Sequence, residues 1–257
     1  MFDSLIAGLS SFPQVEAIAL GGSRAGETYD EKSDYDVYLY CTGPVPEADR
    51  RKLLNEFCSY VEIGNAFWEL EDNCTLKNGI DIDILYRNLD AFVQDVASVV
   101  EEFQARNGYT TCMWHNLNTC KVLYDRSGRL TAAKKRFAVP YPQQLKQNII
   151  ARNRKLLHDS MPAYYTQIAK AVKRGDLVSI NHRVSAFLES YFDLLFALNG
   201  QTHPGEKRLI LLSLQLCRIL PENFEGCLNS LFAHMYTTPE LLCDDLTAIL
   251  NHLEKIL

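Results

Sequence analysis

The sequence lacks the features of a membrane or secreted protein. No apolar run reaches about 18 residues, the length that a membrane-spanning helix requires. The N-terminal segment MFDSLIAGLSSFPQ lacks the basic start of a secretion signal. The eight cysteines include no C-x-x-C pair and no spacing typical of a small disulfide scaffold. These absences predict a cytoplasmic protein with no membrane partner, in which the cysteines are reduced, mostly buried side chains.

An excess of positive charge is also missing. The net charge is −6 over 257 residues, so no general basic surface predicts binding to long nucleic acid. A local basic cleft remains compatible with this charge, because a triphosphate needs only a few cations. The acidic balance would suit a cationic substrate. With 47% hydrophobic and 23% charged residues, the chain is expected to be globular, with one large domain or two of ordinary size.

The hydrophobic pattern changes character along the chain. In the first half, apolar runs predict strands and helical spacing predicts helices between them. We predict strands over 15–20, 35–41, 67–70, 80–86 and 121–125, and helices over 3–12, 47–60, 89–105 and 110–119. The basic, proline-containing segment 131–142 is interpreted as a linker or a domain boundary. Beyond it the pattern is helical throughout, over 143–159, 163–174, 177–199, 206–219, 222–235 and 239–256.

The most informative segment is Gly21 to Tyr40. An apolar strand ends in Gly-Gly-Ser, and Asp34 and Asp36 stand at the start of a second apolar strand. Alternate strand residues share a face, so these two carboxylates lie about 6–7 Å apart along the chain and repel each other unless a cation or a proton separates them. A later strand, GIDIDILYR, carries Asp81 and Asp83. Carboxylates on neighbouring strands beside a glycine–serine turn indicate a site for Mg²⁺ and a triphosphate.

This arrangement resembles the signature of the DNA polymerase β-type nucleotidyltransferase superfamily, in which Gly-Ser is followed at a fixed interval by Asp-x-Asp and later by an acidic strand. Here G-S at 22–23 is followed by S-D-Y-D at 33–36, with Asp34 eleven residues after Ser23. Glu27 occupies the position at which small bacterial members usually carry a glycine, so the loop is expected to close differently over the phosphates. The chain looks similar to bacterial aminoglycoside and lincosamide nucleotidyltransferase-like proteins of unassigned substrate.

The resemblance implies a fold and an order of domains. The expected fold is α+β: a small mixed-sheet nucleotidyltransferase domain over residues 1–130, followed by an all-α helical bundle domain over residues 141–257.

The resemblance also implies roles for individual residues. Asp34, Asp36 and Asp83 would hold two Mg²⁺ ions and form the catalytic centre; Asp83 is preferred to Asp81 because its apolar neighbours fit the superfamily strand better. The phosphates of ATP or another nucleoside triphosphate would be bound by residues of the glycine–serine turn and by basic side chains: Gly22, Ser23, Arg24 and Lys207.

Aminoglycoside-modifying relatives take their general base from the helical domain. In the predicted helix 177–199, His182, Glu189 and Asp193 share one side, and Glu189 or Asp193 is the candidate base, with Glu189 chosen as the catalytic residue. A solvated polar flank is the alternative. A separate motif, R-N-x4-H over 152–158, superficially resembles the active motif of HEPN ribonucleases, but its position early in the helical half gives that interpretation little support.

The predicted activity is therefore Mg²⁺-dependent transfer of a nucleoside monophosphate, AMP from ATP, to a hydroxyl of a small molecule such as an aminoglycoside-like antibiotic. Two alternatives stay open: an antitoxin-like AMP transferase that modifies protein or RNA, and a nucleotide-binding module without catalysis. The sequence does not specify the acceptor, the preferred nucleotide or the oligomeric state.

Overall fold

The computed structural model describes residues 1–26, 33–67 and 69–257. Along the first half, helices and strands follow in the order α1 Phe2–Ser10, β1 Val15–Leu20, α2 Gly22–Ala25, β2 Tyr35–Cys41, α3 Glu47–Phe57, β3 Cys58–Asn65, β4 Glu71–Leu76, β5 Asp81–Asn88, α4 Leu89–Val100, α5 Cys112–Thr119, β6 Lys121–Asp125 and α6 Arg129–Phe137. The rest is helical: α7 Gln143–Arg154 with a π-helical turn Lys155–Asp159, α8 Tyr164–Arg174, α9 Leu177–Leu198, α10 Leu209–Leu216, α11 Phe224–Thr237, and α12 Leu242–Glu254 after the 3₁₀ turn Pro239–Leu241.

The chain forms two compact units. Unit 1 comprises residues 1–97 and 116–139, and unit 2 comprises residues 98–115 and 140–257. The predicted α+β class is confirmed, with a mixed sheet in the N-terminal part and a helical region after it. The domain bounds predicted from the sequence, 1–130 and 141–257, stay a prediction. No helix of the described residues combines the length and apolar character that crossing a membrane requires.

Within unit 1, the described strands form one six-stranded sheet in the order β3-β4-β5-β2-β1-β6. Strands β2 and β5 run parallel, and the other neighbours are antiparallel. The core strand β1 is buried along its whole length, as its apolar sequence VEAIAL indicates. This arrangement places the start of β2 next to the start of β5.

The outer hairpin β3–β4 is fixed by a buried polar cluster. Asp72 of β4 is fully buried, where it pairs with Arg50 of α3 and accepts hydrogen bonds from the Tyr86 hydroxyl at 2.8 Å and the Gly64 N–H at 2.9 Å. A buried carboxylate is tolerated only when such partners replace its water. The cluster therefore holds β4, the strand next to β5, in a defined position.

In unit 2, α9 is the central helix. Its side chains Ile180, Val184, Phe187 and Tyr191 are buried in the apolar core at helical spacing. The helix begins where the side chain of Asp176 accepts a hydrogen bond from the Ser179 N–H at 3.1 Å. Gly175, at φ 63°, ends the preceding helix in the left-handed conformation that glycine adopts readily.

Three sequence-based assignments of structure were wrong. The strand predicted over 67–70 does not form in the described part of that segment, where Phe67 is 79% exposed; the strands are β3 and β4 on either side. The helix predicted over 89–105 ends at Val100. The segment 131–142 is not an unstructured linker, because it contains most of α6, which packs through buried Leu130, Ala133 and Phe137; the division between the two units, after Val139, lies within it. The expected effect of Glu27 on the loop concerns a residue outside the described ranges.

Candidate active site

The glycine–serine turn that follows β1 lies very close to residues of β2. The Gly21 N–H donates to the Asp36 carbonyl at 2.8 Å, and Gly22 follows at φ 58° as the first residue of α2. A Cβ atom on Gly22 would lie 1.7 Å from Oδ2 of Asp36, and one on Gly21 would lie 2.2 Å from the ring of Tyr38. A side chain at either position would therefore force Asp36 or Tyr38 of β2 to move, which favours glycine at both.

The parallel pair β2–β5 brings the aspartates together. Asp36 and Asp83 are direct partners in the register of these two strands, and Asp34 stands just before β2. One carboxylate oxygen from each of Asp34, Asp36 and Asp83 lies within 4.8 Å of the other two. Asp81 is separate from this group, because its carboxylate accepts a hydrogen bond from the Thr75 hydroxyl at 2.8 Å.

Two asparagines support Asp83. The Asn73 side-chain amide donates to Oδ1 of Asp83 at 2.7 Å, and the Asn65 amide donates to the Asn73 side-chain carbonyl at 2.6 Å. Asn73 is also the register partner of Asp83 across the β4–β5 ladder. This chain of hydrogen bonds holds the Asp83 carboxylate in a defined orientation. Sequence reasoning missed both asparagines because it placed no strand over 71–76.

Arg24 connects α2 to the segment before β2. Its Nε donates to the Ser33 carbonyl at 2.6 Å, and its guanidinium lies 4.1 Å above the ring of Tyr35, which stacks on Phe2. Arg24 thus has a structural role besides the phosphate binding predicted for it. Ser23 is exposed within α2. The phosphate contacts of Gly22, Ser23 and Arg24 stay predictions.

The three-aspartate cluster suits a hard divalent cation. Mg²⁺ and Mn²⁺ prefer oxygen ligands, and three carboxylates at this separation repel each other in the absence of positive charge. Over the described ranges, no lysine or arginine forms an ion pair with Asp34 or Asp83. Among the same residues, this is the one group of acidic, histidine or cysteine side chains compact enough to hold an ion.

The predicted general base lies in unit 2. Glu189 of α9 is half-buried and lines a cavity, and burial raises the pKa of its carboxyl group. Gly108, at φ 77°, passes so close that a Cβ atom on it would lie 2.9 Å from Cβ of Glu189. Lys207 is exposed in the turn before α10. The catalytic role of Glu189 and the phosphate contact of Lys207 stay predictions.

Asp193, the alternative base, is instead a buried structural residue. It is 1% exposed and accepts hydrogen bonds from the N–H and hydroxyl of Thr110, at 2.9 and 2.7 Å, and from the Asn153 amide at 3.0 Å. Burial raises the pKa of Asp193 to about 6, although these donors oppose the shift. His182, on the same helix, is exposed.

The R-N-x4-H motif does not form a ribonuclease-like cluster. Asn153 is fully buried and hydrogen-bonded to Asp193, whereas the imidazole of His158 lies between the carboxylates of Asp159, at 2.7 Å, and Glu254, at 3.0 Å. The two residues therefore take part in separate structural contacts.

Two protein-family models match parts of the chain. Residues 3–106 match the family model of the nucleotidyltransferase domain, and residues 110–209 match a domain of unknown function, DUF4037. Residues 3–106 are therefore a nucleotidyltransferase domain. The enzyme class predicted from the sequence, a nucleotidyltransferase, is confirmed by this match. A comparison with curated protein sequences gave no match.

Among solved structures, the chain is similar to a nucleotidyltransferase-like protein from Exiguobacterium sibiricum, with 12% identity, a TM-score of 0.45, and coverage of 98% of this chain and 72% of that one. It also resembles an aminoglycoside 6-adenyltransferase from Bacillus subtilis, with 10% identity, a TM-score of 0.31, and coverage of 99% and 90%. A third structure is the Thermotoga maritima CCA-adding enzyme complexed with tRNA, with 12% identity, a TM-score of 0.29, and coverage of 99% and 81%.

Proposed function

We propose that the protein transfers a nucleoside monophosphate, AMP from ATP, to a hydroxyl group of a small molecule and releases pyrophosphate. The observation that carries this proposal is the cluster of Asp34, Asp36 and Asp83 within a nucleotidyltransferase domain. Asp36 of β2, Asp34 just before that strand, and Asp83 of the parallel neighbour β5 together present oxygen ligands. The proposed activity would therefore use a divalent metal ion as cofactor and a nucleoside triphosphate as donor substrate.

The three aspartates would hold two Mg²⁺ ions, which supply charge neutralisation for the triphosphate and activation of the attacking hydroxyl. The turn at Gly22 and Ser23 exposes backbone N–H groups that suit phosphate oxygens. Asn73 keeps Asp83 in the orientation that faces the other two carboxylates.

Glu189 is proposed as the general base for the acceptor hydroxyl. Its raised pKa brings it closer to the range in which a carboxylate accepts a proton effectively near neutral pH. Lys207 is proposed to bind the triphosphate. A cytoplasmic location and an antibiotic-like acceptor such as an aminoglycoside belong to the same proposal.

The first test is calorimetric titration with ATP and its α,β-non-hydrolysable analogue, with and without Mg²⁺. Wild type should bind both in a Mg²⁺-dependent manner, and the double variant Asp34→Asn/Asp36→Asn should lose this binding. Asp81→Asn is the control, since it removes a negative charge from the same region but lies outside the cluster. If the wild-type protein bound no nucleotide, the proposed transferase activity would be refuted.

Measurements of catalytic turnover then distinguish transfer to a small molecule, transfer to protein or RNA, and nucleotide binding without catalysis. Asp36→Ala should lower transfer at least ~10²-fold, on the scale of losing a metal ligand. Labelling of protein or RNA in place of small hydroxyl compounds would identify a macromolecular AMP transferase. Nucleotide binding without turnover on any acceptor would indicate a binding module.

A further inference from the structure

Unit 2 contains a cavity of about 690 Å³ that opens beside α9, α10 and α11. This volume lies within the roughly 300–1,000 Å³ typical of small-molecule sites. Its apolar wall is formed by Leu188 and Phe192 of α9, Leu209 and Leu214 of α10, and Phe232 of α11. Leu214 and Phe232 are 47% and 44% exposed, which is unusual for large apolar side chains grouped around one opening.

Three carboxylates share this apolar cavity. Glu189, Glu206 and Glu225 line it together with a single cationic side chain, Arg208. In the part of the chain that the structure describes, no hydrogen bond or ion pair occupies these three carboxylates. Glu206 and Glu225 are exposed, whereas Glu189 is half-buried beside the apolar wall. A half-buried carboxylate next to apolar groups ordinarily acquires a partner, so Glu189 indicates that the cavity receives a ligand.

Tyr109 lines the same cavity as Glu189 and Glu206. Burial is the main reason that its pKa rises to about 12, and the neighbouring negative charges of Glu189 and Glu206 contribute to the same shift. The phenol therefore stays neutral and offers an aromatic ring next to two carboxylates. An aromatic ring and carboxylates side by side form a favourable environment for an ammonium group.

A metal ion does not explain this arrangement. Over the described residues, the carboxylates of the cavity do not form a group compact enough to hold one ion, in contrast to the aspartate cluster of unit 1. Negative charge spread around an apolar wall instead matches an organic cation, in which charged nitrogen and hydrocarbon are parts of one molecule.

We infer that this cavity binds an amphiphilic organic amine, a molecule with an aromatic or aliphatic body and at least one protonated nitrogen. If this amine is the acceptor of nucleotidyl transfer, the substrate class of the proposed function becomes organic amines that carry a hydroxyl group. This part of the inference rests on the proposed function. Binding to the cavity itself needs no nucleotide and is measured without it.

The test uses three probes against the full chain by isothermal titration calorimetry. 4-Phenylbutylamine carries both features, 4-phenylbutan-1-ol keeps the apolar body without the charge, and spermidine carries charge without a comparable apolar body. We expect the phenylalkylamine to bind about tenfold more tightly than the alcohol, a difference of the size expected for a partly buried charge pair. Spermidine should also bind more weakly than the phenylalkylamine.

Variants locate the site. Glu189→Gln should weaken binding of the amine about fivefold and leave the alcohol unaffected, whereas Leu214→Asn should weaken both. Glu240→Gln is the matched control, because it removes the same charge from an exposed position outside the cavity and should change nothing. Thermal unfolding of each variant verifies that the fold is kept.

Equal binding of the amine and the alcohol would overturn the inference, as would stronger binding of spermidine or no binding of any probe. A concentration-dependent dimer that excludes the probes would show that a second copy covers the apolar wall, which also overturns it. Mg²⁺-dependent ATP binding, measured on the same samples, distinguishes failure of this inference from failure of the proposed function.

Discussion

Substitution of Gly22 by alanine tests the aspartate cluster most directly. The new Cβ atom would lie 1.7 Å from Oδ2 of Asp36 and 2.8 Å from its Cγ, distances that non-bonded atoms do not adopt. The Asp36 carboxylate must therefore rotate away or the turn must move. Gly22 also has φ 58°, where an L-residue other than glycine costs about 1–2 kcal/mol.

Two effects of different size follow from this substitution. The free energy of unfolding should fall by about 1–3 kcal/mol, from the backbone conformation and the local shift. Affinity for Mn²⁺, used as a probe for Mg²⁺, should fall by about a hundredfold, or roughly 3 kcal/mol, because one of three carboxylates leaves its position.

Mn²⁺ titration followed by electron paramagnetic resonance measures the second effect, and urea unfolding measures the first. Gly128→Ala is the control: Gly128 belongs to the same unit and has φ 73°, but a Cβ atom there would meet nothing within 4 Å. It should lose stability to a similar extent and keep its affinity for Mn²⁺. A folded Gly22→Ala variant with the affinity of wild type would refute the assignment of Asp36 as a ligand.

Three further predictions concern the support of the cluster, the general base and a buried acid. Asn73→Ala should lower the Mn²⁺ affinity about tenfold because Asp83 loses its orienting amide, while Thr75→Ala on the same strand should not; equal losses would contradict the supporting role. Glu189→Gln should lower the rate of transfer and leave calorimetric ATP binding intact; a collapse of ATP affinity would refute its role as base. The pKa of Asp193 is about 6 in the folded protein against an ordinary value of 3.8, so the folded state binds the proton more tightly. The free energy of unfolding should therefore decrease by about 3 kcal/mol as the pH rises from about 4 to 6, and urea unfolding of Asp193→Asn should lack this component; identical pH profiles would contradict it.

The central strands could be predicted closely from the sequence. The central strands β1 and β2 begin and end where the apolar runs 15–20 and 35–41 do, and the edge strand β6, which has no buried residue, also coincides with its predicted range 121–125. Strands buried on both faces leave a continuous apolar signal, which polar turn residues interrupt sharply.

The outer hairpin could not be predicted in the same way. Strands β3 and β4 alternate buried or half-buried residues with more exposed ones, and they carry polar side chains such as Asp72 and Asn73 that normally disfavour strands. Partners elsewhere in the fold stabilise these polar residues within the strand. The Arg50 guanidinium neutralises Asp72, and the Asp83 carboxylate accepts a hydrogen bond from the Asn73 amide. These contacts are long-range, so local patterns contain little information about them.

The aspartate cluster itself depends on register more than on the motif. The D-x-D motif places Asp34 and Asp36 on one side of β2, but the third carboxylate is supplied by the β2–β5 ladder, in which Asp36 lies opposite Asp83. A shift of this ladder by one residue would place Ile82 or Ile84 opposite Asp36 and turn the acidic side chains of β5 to the other face. Asp81 shares the face of Asp83, yet it lies two residues earlier in the strand, where its carboxylate accepts a hydrogen bond from the Thr75 hydroxyl. The contacts that fix β5 between β2 and β4 are therefore as necessary to the candidate metal site as the aspartates themselves.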